Sequence, residues 1–425
     1  MNRSVGNGNG NGIVGSVSGV GSPWGVGSAG SAGSAGSEAG ANLPALRSHN
    51  AALVLDLLRT AGEAGISRLE LAERTGLTPQ AVSKITARLR AEGLAREAGH
   101  RASTGGKPRT VLRLVATAAY AVGVHLDRDE LTAVLVDLAG VRVAVRRAPL
   151  DLGAGAEAVF DAVDREVRAV RAEAPGSPGA VGEVVEREAE GDGVSAAAAS
   201  VAAAASASRT PGAAVLGVGV AMPGPLDHLA GTPGRVTGHP AWEGVPLRDE
   251  LTRRLGLPVA LDKDTNAAAL GLALHPDAPA ADSFAYLHLG TGLGSGLVLG
   301  GALHRGARTG AGEFGHQTVL LDGPPCGCGG RGCLEVLCLA AVARGDVPEA
   351  ARVLGTGAVN LVRLLDIDRV VLGGRAVAAD PEAFVGGVGA VLAGAGLGTP
   401  VSGATSPYGV AEGAAQLILA PIFGK

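Results

Sequence analysis

The sequence predicts an α/β protein in which a small helical module precedes a body of two similar lobes. Apolar residues recur with helical spacing from residue 48 to about residue 93, and two short strand-like runs follow. From residue 117 onward a strand meander, followed by alternating helices and strands, occurs twice. The chain has 425 residues and 46% of them are hydrophobic, which suffices for two or three domains with a large core.

The N-terminal module starts with a helix predicted at residues 48–61. Ser67 and Glu70 have the spacing of a capping box, which predicts that a second helix begins there. After a short turn, Thr78 is suited to cap a third helix, and Pro79 takes the first helical position. The two strand-like runs that follow flank a glycine-rich basic tip, so they indicate a hairpin.

A helix, a capped helix, a turn, a further helix and a basic hairpin form the order of a winged helix-turn-helix domain, which we place at residues 44–116. We expect its last helix to enter the major groove of DNA. The predicted DNA contacts are Gln80 and Ser83 for base edges, and Lys84, Arg88, Lys107 and Arg109 for phosphates. The alternative is a helical protein-interaction module.

The charge distribution supports a nucleic-acid partner for this module. The net charge of the whole chain is −4, yet residues 44–116 contain twelve basic and six acidic residues, a balance of +6. Residues 1–43 balance to zero, so the remainder carries −4 − 6 = −10. A basic module attached to an acidic body favours attraction to phosphate backbones, whereas a solvated basic face is the alternative.

The body is predicted as two sets of elements. The first set has strands at 120–126, 131–138, 141–148, 214–221 and 257–262 and helices at 155–172 and 264–274. The second set has strands at 284–290, 294–301, about 302–306 and 369–374 and helices at 334–343, 347–365, 381–394 and 409–420.

Two stretches of low complexity interrupt this pattern. Residues 1–43 are mostly Gly, Ser, Asn and Ala, which predicts a disordered tail. Residues 173–210 are biased in a similar way and are expected to form a mobile surface insertion.

The segment 316–335, HQTVLLDGPPCGCGGRGCLE, holds three of the four cysteines of the chain. No apolar run is long enough for a membrane span and no secretory signal is evident, so we expect a cytoplasmic protein without a membrane partner. In that compartment clustered cysteines are more often metal ligands than disulfides. The alternative is a set of unconnected reduced thiols. Cys338, outside the cluster, is expected to be a buried core thiol.

Several segments together resemble the ROK family of repressors and sugar kinases. They read RSHNAALVLDLL, SRLELAERTGLTPQAVSKITARL, TGGKPRTVLRL, GVAMPGPLD, LDKDTNAAALG, LGTGLGSGLVLGG, GAGEFGHQ and CGCGGRGCLE. The resemblance implies an actin-like, ribonuclease H-like, two-lobed ATPase-type domain at residues 117–425, preceded by the winged helix-turn-helix domain.

The resemblance also implies the site residues. The zinc ligands of the family motif match His316, Cys326, Cys328 and Cys333. One imidazole and three thiolates form a closed tetrahedral site, which is typical of structural zinc. The sugar contacts of the family match Asp264, Glu313, His316 and Glu335, and Asp264 would be the general base of a kinase.

The chain departs from the kinases of the family at the first phosphate segment. Kinases carry a pattern like Asp-x-Gly-Gly-Thr-Lys, whereas residues 125–130 read HLDRDE. We expect three acidic side chains there to repel a polyphosphate, which makes ATP an unlikely cofactor. The second phosphate segment, Gly290–Gly296, is retained. Lys263 replaces a sugar-contacting Asn, and it could change the polarity of the ligand or simply pair with a carboxylate.

These features predict a sugar-responsive transcriptional repressor with a catalytically inactive, kinase-like sensor domain. The expected partners are a double-stranded DNA operator, a small sugar or sugar-phosphate effector, and further copies of the chain in a homodimer or homotetramer. One alternative is an active, glucokinase-like, ATP-dependent sugar kinase with an attached DNA-binding module. The other is a DNA-binding protein whose body only dimerises.

Overall fold

The computed structural model describes residues 49–101, 109–174, 186–188, 214–275, 278 and 282–425. The predicted tail and most of the predicted insertion lie outside the described residues. No helix in the described ranges is both long and apolar enough to cross a membrane.

The N-terminal domain contains three helices and a small antiparallel sheet. Its elements are α1 (His49–Thr60), β1 (Ile66–Ser67), α2 (Arg68–Thr75), α3 (Pro79–Ala91), β2 (Ala95–Arg101) and β3 (Arg109–Leu114). The strand order is β1-β3-β2. This is the winged helix-turn-helix arrangement that the sequence predicts, with β1 as an additional strand.

Local hydrogen bonds explain where α2 and α3 begin. The Ser67 hydroxyl accepts from the Glu70 N–H at 3.3 Å, and the Ser67 N–H donates to Glu70 Oε2 at 2.8 Å, which completes the predicted capping box. The Thr78 hydroxyl accepts from the Ala81 N–H at 3.2 Å, and Pro79 is the first helical residue. Gly76 ends α2 in the left-handed conformation, with φ 68°.

The first lobe is built on a six-stranded mixed sheet. Its elements are β4 (Ala119–Leu126), β5 (Glu130–Asp137), β6 (Arg142–Pro149), α4 (Ala156–Ala172), β7 (Glu186–Glu188), β8 (Ala214–Met222), β9 (Leu226–Asp227), β10 (Thr232–Pro233), α5 (Leu247–Leu255) and β11 (Val259–Lys263). The strand order is β11-β8-β4-β5-β6-β7. Parallel pairing of β4, β8 and β11 places the carboxyl ends of these strands at one edge of the sheet.

The second lobe is built on a five-stranded sheet of order β14-β13-β12-β15-β16. Its elements, with the helix that leads into it and the helix that follows it, are α6 (Asp264–Ala273), β12 (Phe284–Leu289), β13 (Leu293–Leu299), β14 (Ala302–Leu303), α7 (Leu334–Ala343), α8 (Val347–Leu365), β15 (Arg369–Gly373), α9 (Arg375–Ala379), α10 (Pro381–Gly394), β16 (Val401–Gly403) and α11 (Gly409–Leu419). The duplicated lobe predicted from the strand pattern is therefore present.

Helix α11 returns the chain to the first lobe and packs tightly there because glycines remove side chains at the contacts. A Cβ atom on Gly219 of β8 would lie 1.7 Å from the Ala414 carbonyl oxygen. A Cβ atom on Gly413 of α11 would lie 1.9 Å from the Ala267 carbonyl oxygen of α6. Helices α6 and α11 are thus in backbone contact between the two lobes.

One apolar cluster is shared by the DNA-binding domain and the body. Leu55 and Leu58 of α1 belong to the same buried cluster as Leu419 and Phe423 near the C-terminal end of the chain. The winged domain is therefore packed against the first lobe and α11 through a continuous core. Burial of apolar area at this junction stabilises one relative placement of the two domains.

The predicted element boundaries agree with the structure within a few residues, but some elements were missed. Helix α5 and strand β16 were not predicted. Within the predicted insertion, β7 pairs in parallel with β6, so these three residues add an edge strand to the first sheet.

Candidate functional site

A pocket between the lobes collects all four predicted sugar-binding side chains. It is defined by the end of β11 and start of α6, by the turn Gly290–Gly294, and by the loop that precedes α7. The residues of the prediction that line it are Asp264, Glu313, His316 and Glu335. We refer to it as the interlobe pocket. Carboxylates at such a site are strong acceptors for the hydroxyl groups of a small ligand.

Glu335 is held in a fixed position at the start of α7. Its Oε2 accepts a hydrogen bond from the Leu293 N–H at 2.9 Å. The loop before it approaches closely because residue 315 is glycine: a Cβ atom on Gly315 would lie 2.1 Å from the Leu293 carbonyl oxygen and 3.2 Å from Glu335 Cβ. These contacts within the protein hold the Glu335 side of the pocket wall in place.

Lys263 pairs with a carboxylate while it lines the pocket. Its Nζ lies 3.2 Å from Glu313 Oε1 and also donates to the Ala311 carbonyl oxygen. The side chain is only 3% exposed. The sequence left open whether Lys263 changes the polarity of the ligand or pairs with a carboxylate. The structure shows the pairing with a carboxylate, and this ion pair holds Glu313 in position.

Asp262 anchors this segment from beneath, and sequence analysis did not single it out. Its carboxylate is buried and accepts from Asn266 Nδ2 at 2.8 Å, from the Lys263 N–H at 2.8 Å and from Arg305 Nε at 2.7 Å. These hydrogen bonds fix the backbone at the end of β11, and thereby the positions of Lys263 and Asp264 at the start of α6. The signal was the first aspartate of the segment LDKDTN, two residues before Asp264.

The predicted metal ligands come together as one cluster. Their donor atoms all lie within 4.8 Å of one another. The Sγ atoms of Cys328 and Cys333 are 3.8 Å apart, and Cys326 Sγ is 3.8 Å from His316 Nδ1. Tetrahedral thiolate ligands at the usual zinc–sulfur distance lie about 3.8 Å apart. The donor set and its spacing therefore fit a zinc ion.

His316 belongs to both the cluster and the pocket. Because its Nδ1 faces the cysteines, its Nε2 is the nitrogen available to a pocket ligand. A metal on Nδ1 would fix the tautomer that carries a proton on Nε2. Cys338 lies apart in the core of the second lobe, where burial raises the pKa of its thiol to about 12, as expected of a structural thiol.

The expected repulsion at residues 125–130 is wrong. Asp127 and Asp129 both bind Arg375 of α9, at 2.5 Å from Nη2 and 2.7 Å from Nη1 respectively. Glu130 pairs with Arg147. All three carboxylates are thus paired with arginines, and Arg375 shares its single charge between two of them. Sequence analysis missed Arg375 because nothing near it in the chain indicates a partner 248 residues away.

The ion pair with Arg375 changes the titration of Asp127. Burial acts to raise the pKa of this carboxyl group. The hydrogen bond from Arg375 and the charge of His125 outweigh burial and lower the pKa to about 2. Thr291 also donates to Asp127 Oδ1 at 2.9 Å. Arg375 and Thr291 of the second lobe thereby both bind Asp127 of the first lobe, within the segment that corresponds to the first phosphate segment of the ROK kinases.

The predicted DNA-binding side chains lie on the exposed face of the winged domain. Those within the described residues that are exposed are Gln80, Ser83, Lys84, Arg88 and Arg109. Val82 and Leu89 are buried on the opposite face of α3, so the helix is oriented as predicted. Lys107 lies outside the described residues.

Arg59 of α1 connects the DNA-binding domain to α6. Its Nη1 donates to the Leu274 carbonyl oxygen, just after the C-terminal end of α6, at 3.0 Å. Asp56 holds the guanidinium at 2.8 Å, and the ring of Phe423 lies 5.0 Å beneath it. Since the first residue of α6 is Asp264, one helix reaches from the interlobe pocket to the DNA-binding domain.

Comparison with known proteins identifies both parts of the chain. Residues 194–345 match the ROK family, and residues 54–96 match a winged helix-turn-helix DNA-binding domain. The described residues thus form a DNA-binding domain joined to an actin-like, two-lobed domain. Part of the body is therefore similar to the ROK family, and the N-terminal domain is similar to winged helix-turn-helix DNA-binding domains, as the motifs predict.

Both regulators and kinases are among the similar proteins. The xylose repressor of Caldicellulosiruptor bescii is 27% identical over 274 residues, which cover 64% of this chain and 59% of that protein. The glucokinase of Thermotoga maritima is 42% identical over 128 residues, 30% of this chain and 40% of that protein. The matched region therefore spans about three fifths of the repressor.

A solved structure shares the fold over most of the chain. It is the crystal structure of a ROK family transcriptional regulator, a homolog of the Escherichia coli MLC protein. The TM-score is 0.64 at 18% identity, and the match covers 88% of this chain and 97% of that chain. The predicted fold class is thereby confirmed.

Proposed function

We propose that the protein is a transcriptional repressor whose affinity for DNA is controlled by a small sugar or sugar phosphate. The observation that carries this proposal is the path through α6. Asp264, at one end of this helix, lines a pocket rich in hydroxyl acceptors, and Leu274, next to its other end, is bound by Arg59 of the DNA-binding domain.

The similar proteins support the same assignment. The name of the Caldicellulosiruptor relative is xylose repressor, so D-xylose is the first neutral sugar to test. An operator made of two half-sites suits a winged domain that is presented by a homodimer or homotetramer. We also propose that the protein binds DNA in the cytoplasm.

In this proposal the metal cluster holds structural zinc. The ion would be bound by His316, Cys326, Cys328 and Cys333, and it would supply a rigid centre rather than a reactive one. Cys333 immediately precedes α7, the helix that begins with Leu334 and Glu335. A zinc ion would thus fix the loop that presents His316 and Glu335 to the ligand.

We propose further that the body does not phosphorylate its sugar. The glycine pattern that lets a backbone approach phosphate is replaced here by larger side chains, and Asp127 and Asp129 are engaged by Arg375. Steric occupation and a closed ion-pair network oppose ATP, in place of the charge repulsion expected from the sequence. The similarity to glucokinases keeps a sugar kinase as the second candidate function.

Control of DNA binding would follow from a shift between two arrangements of the lobes. A sugar that contacts both lobes binds one arrangement more tightly, and it shifts the equilibrium by that difference in affinity. Movement of α6 relative to α11 would then move Arg59 and with it α1. The repressor would release DNA when the sugar occupies the interlobe pocket.

The proposal is tested with DNA sites selected by the protein from a random pool. Fluorescence anisotropy of the selected DNA is measured while D-xylose, D-glucose and their phosphate esters are titrated. At least one sugar is expected to release DNA from the wild-type protein, and Asp264→Asn is expected to keep DNA affinity and lose the response. Turnover of Mg-ATP with these sugars, abolished by the same substitution, would favour the kinase instead.

A further inference from the structure

Arg128 stands out because its cation has no anionic partner within the part of the chain that the structure describes. It lies between Asp127 and Asp129, whose carboxylates both bind Arg375. The Arg128 side chain instead lines the interlobe pocket. Its Nε is buried and lacks a hydrogen-bond partner among the described residues, and no carboxylate in that part of the chain forms an ion pair with it.

The guanidinium stands over the turn of the second phosphate segment. A Cβ atom placed on Gly292 would lie 3.7 Å from Arg128 Nη2 and 3.1 Å from Glu335 Oε2. The Gly290 N–H donates to the Gly292 carbonyl oxygen, but in the described structure the N–H groups of Thr291 and Gly292 have no acceptor. A guanidinium beside free amides is a suitable environment for an anion.

The other charged side chains around the pocket each have an ion-pair or hydrogen-bond partner. Lys263 is paired with Glu313, and Glu335 accepts from the Leu293 N–H. Asp264 accepts from its neighbouring Thr265 N–H at 2.6 Å. These acceptors suit hydroxyl groups, whereas Arg128 and the turn suit a negative substituent on the same ligand.

We propose that Arg128 determines the specificity of the pocket and that the effector is an anionic monosaccharide. The sugar hydroxyls bind the carboxylates, and a phosphate ester or a carboxylate of the sugar binds Arg128. This inference rests on the proposed function and names its effector class. A neutral sugar would leave a buried guanidinium nitrogen unpaired, and an unsatisfied buried donor opposes binding.

The test is isothermal titration of the full-length protein with four ligands that separate the sources of the charge. These are D-glucose, D-xylose, D-glucose 6-phosphate and D-glucuronate. At least one anionic sugar is expected to bind about tenfold or more tightly than both neutral ones, as a charge-assisted hydrogen bond implies. Glucose 6-phosphate as the preferred ligand assigns a phosphate ester, and glucuronate assigns a carboxylate.

Substitutions then attribute the preference to Arg128. Arg128→Gln is expected to remove the preference for the anionic sugar, by weakening binding of the anionic sugar about tenfold. Arg128→Lys is expected to restore part of it. Arg344→Gln, which removes the same charge from an exposed position after the end of α7, is the matched control and is expected to behave as wild type.

Anionic sugars that bind no more tightly than neutral ones, or not at all, would overturn the inference. So would a preference that Arg128→Gln leaves intact. Release of DNA by D-xylose or D-glucose alone would contradict the anionic effector and still uphold the repressor. Circular dichroism of each variant verifies that a loss of binding is not a loss of folding.

Discussion

Lys263 shows at the residue scale how a buried cation is accommodated in the wall of the interlobe pocket. Its ammonium group is buried, and it satisfies both the Ala311 carbonyl oxygen and Glu313. A glycine makes room for its stem, because a Cβ atom on Gly224 would lie 2.7 Å from Lys263 Cδ. Its charge is therefore used inside the pocket wall.

We predict that Lys263→Met destabilises the protein by about 1–3 kcal/mol, since a buried carbonyl oxygen loses its donor. Urea unfolding monitored by circular dichroism measures this change. Lys84→Met, on the exposed face of α3, is the control and should change stability by less than about 0.5 kcal/mol. Equal stability of the two variants would contradict the structural role of Lys263.

The cysteines make a second prediction at this scale. Purified wild-type protein should contain zinc in equimolar amount, Cys328→Ser should lose it, and Cys338→Ser should keep it because Cys338 lies outside the cluster. Elemental analysis by mass spectrometry measures the metal, and thermal melting should show a lower midpoint for Cys328→Ser than for the wild-type protein. Zinc retained by Cys328→Ser would exclude the assigned ligand set.

At the scale of elements, α3 is a helix with one face buried and the other face free for DNA. Val82 and Leu89 pack inward, and Ser83 and Lys84 are exposed. Lys84→Ala should weaken binding to all DNA sequences and reduce the salt dependence of the logarithm of affinity by about one unit. Gel-shift titrations at several salt concentrations measure it, with Arg344→Ala as control. An unchanged salt slope would mean that α3 does not approach the phosphates.

Helix α6 is the element that joins the two functions. Arg59→Met keeps most of the apolar contact with Phe423 and removes the hydrogen bond to the Leu274 carbonyl oxygen. We predict that this variant binds the effector with wild-type affinity in calorimetry but releases DNA poorly when the effector is added. Full release by Arg59→Met would show that coupling does not pass through this contact.

The boundaries of α8 and α10 were predictable because an aspartate cap and a proline mark the start of each helix locally. The interlobe pocket was predictable from motifs that identify its residues. The ion pairs of Arg375 and the hydrogen bond of Arg59 were not predictable from the sequence. Arg375 lies 246 or more positions from its partners and Arg59 lies 215 positions from its partner, so both pairings depend on the assembled fold. The order of charges along residues 127–130 suggested repulsion, whereas the folded chain pairs every one of those carboxylates.

At the scale of the whole molecule, ion pairs and hydrogen bonds join the two lobes. Arg375 of the second lobe holds Asp127 and Asp129 of the first, and Thr291 adds a further hydrogen bond. The DNA-binding domain shares its core with the first lobe and α11. A change in lobe arrangement would therefore be transmitted to the DNA-binding domain, as the proposed function requires.

The most direct measurement is the anisotropy of selected DNA during titration with the effector, performed without nucleotide and again with Mg-ATP, while ADP formation is followed. We predict that the effector alone releases DNA, at the same concentration in both series and without ADP. Release that requires Mg-ATP, accompanied by ADP formation that Asp264→Asn abolishes, would contradict a sugar sensor that works without catalysis.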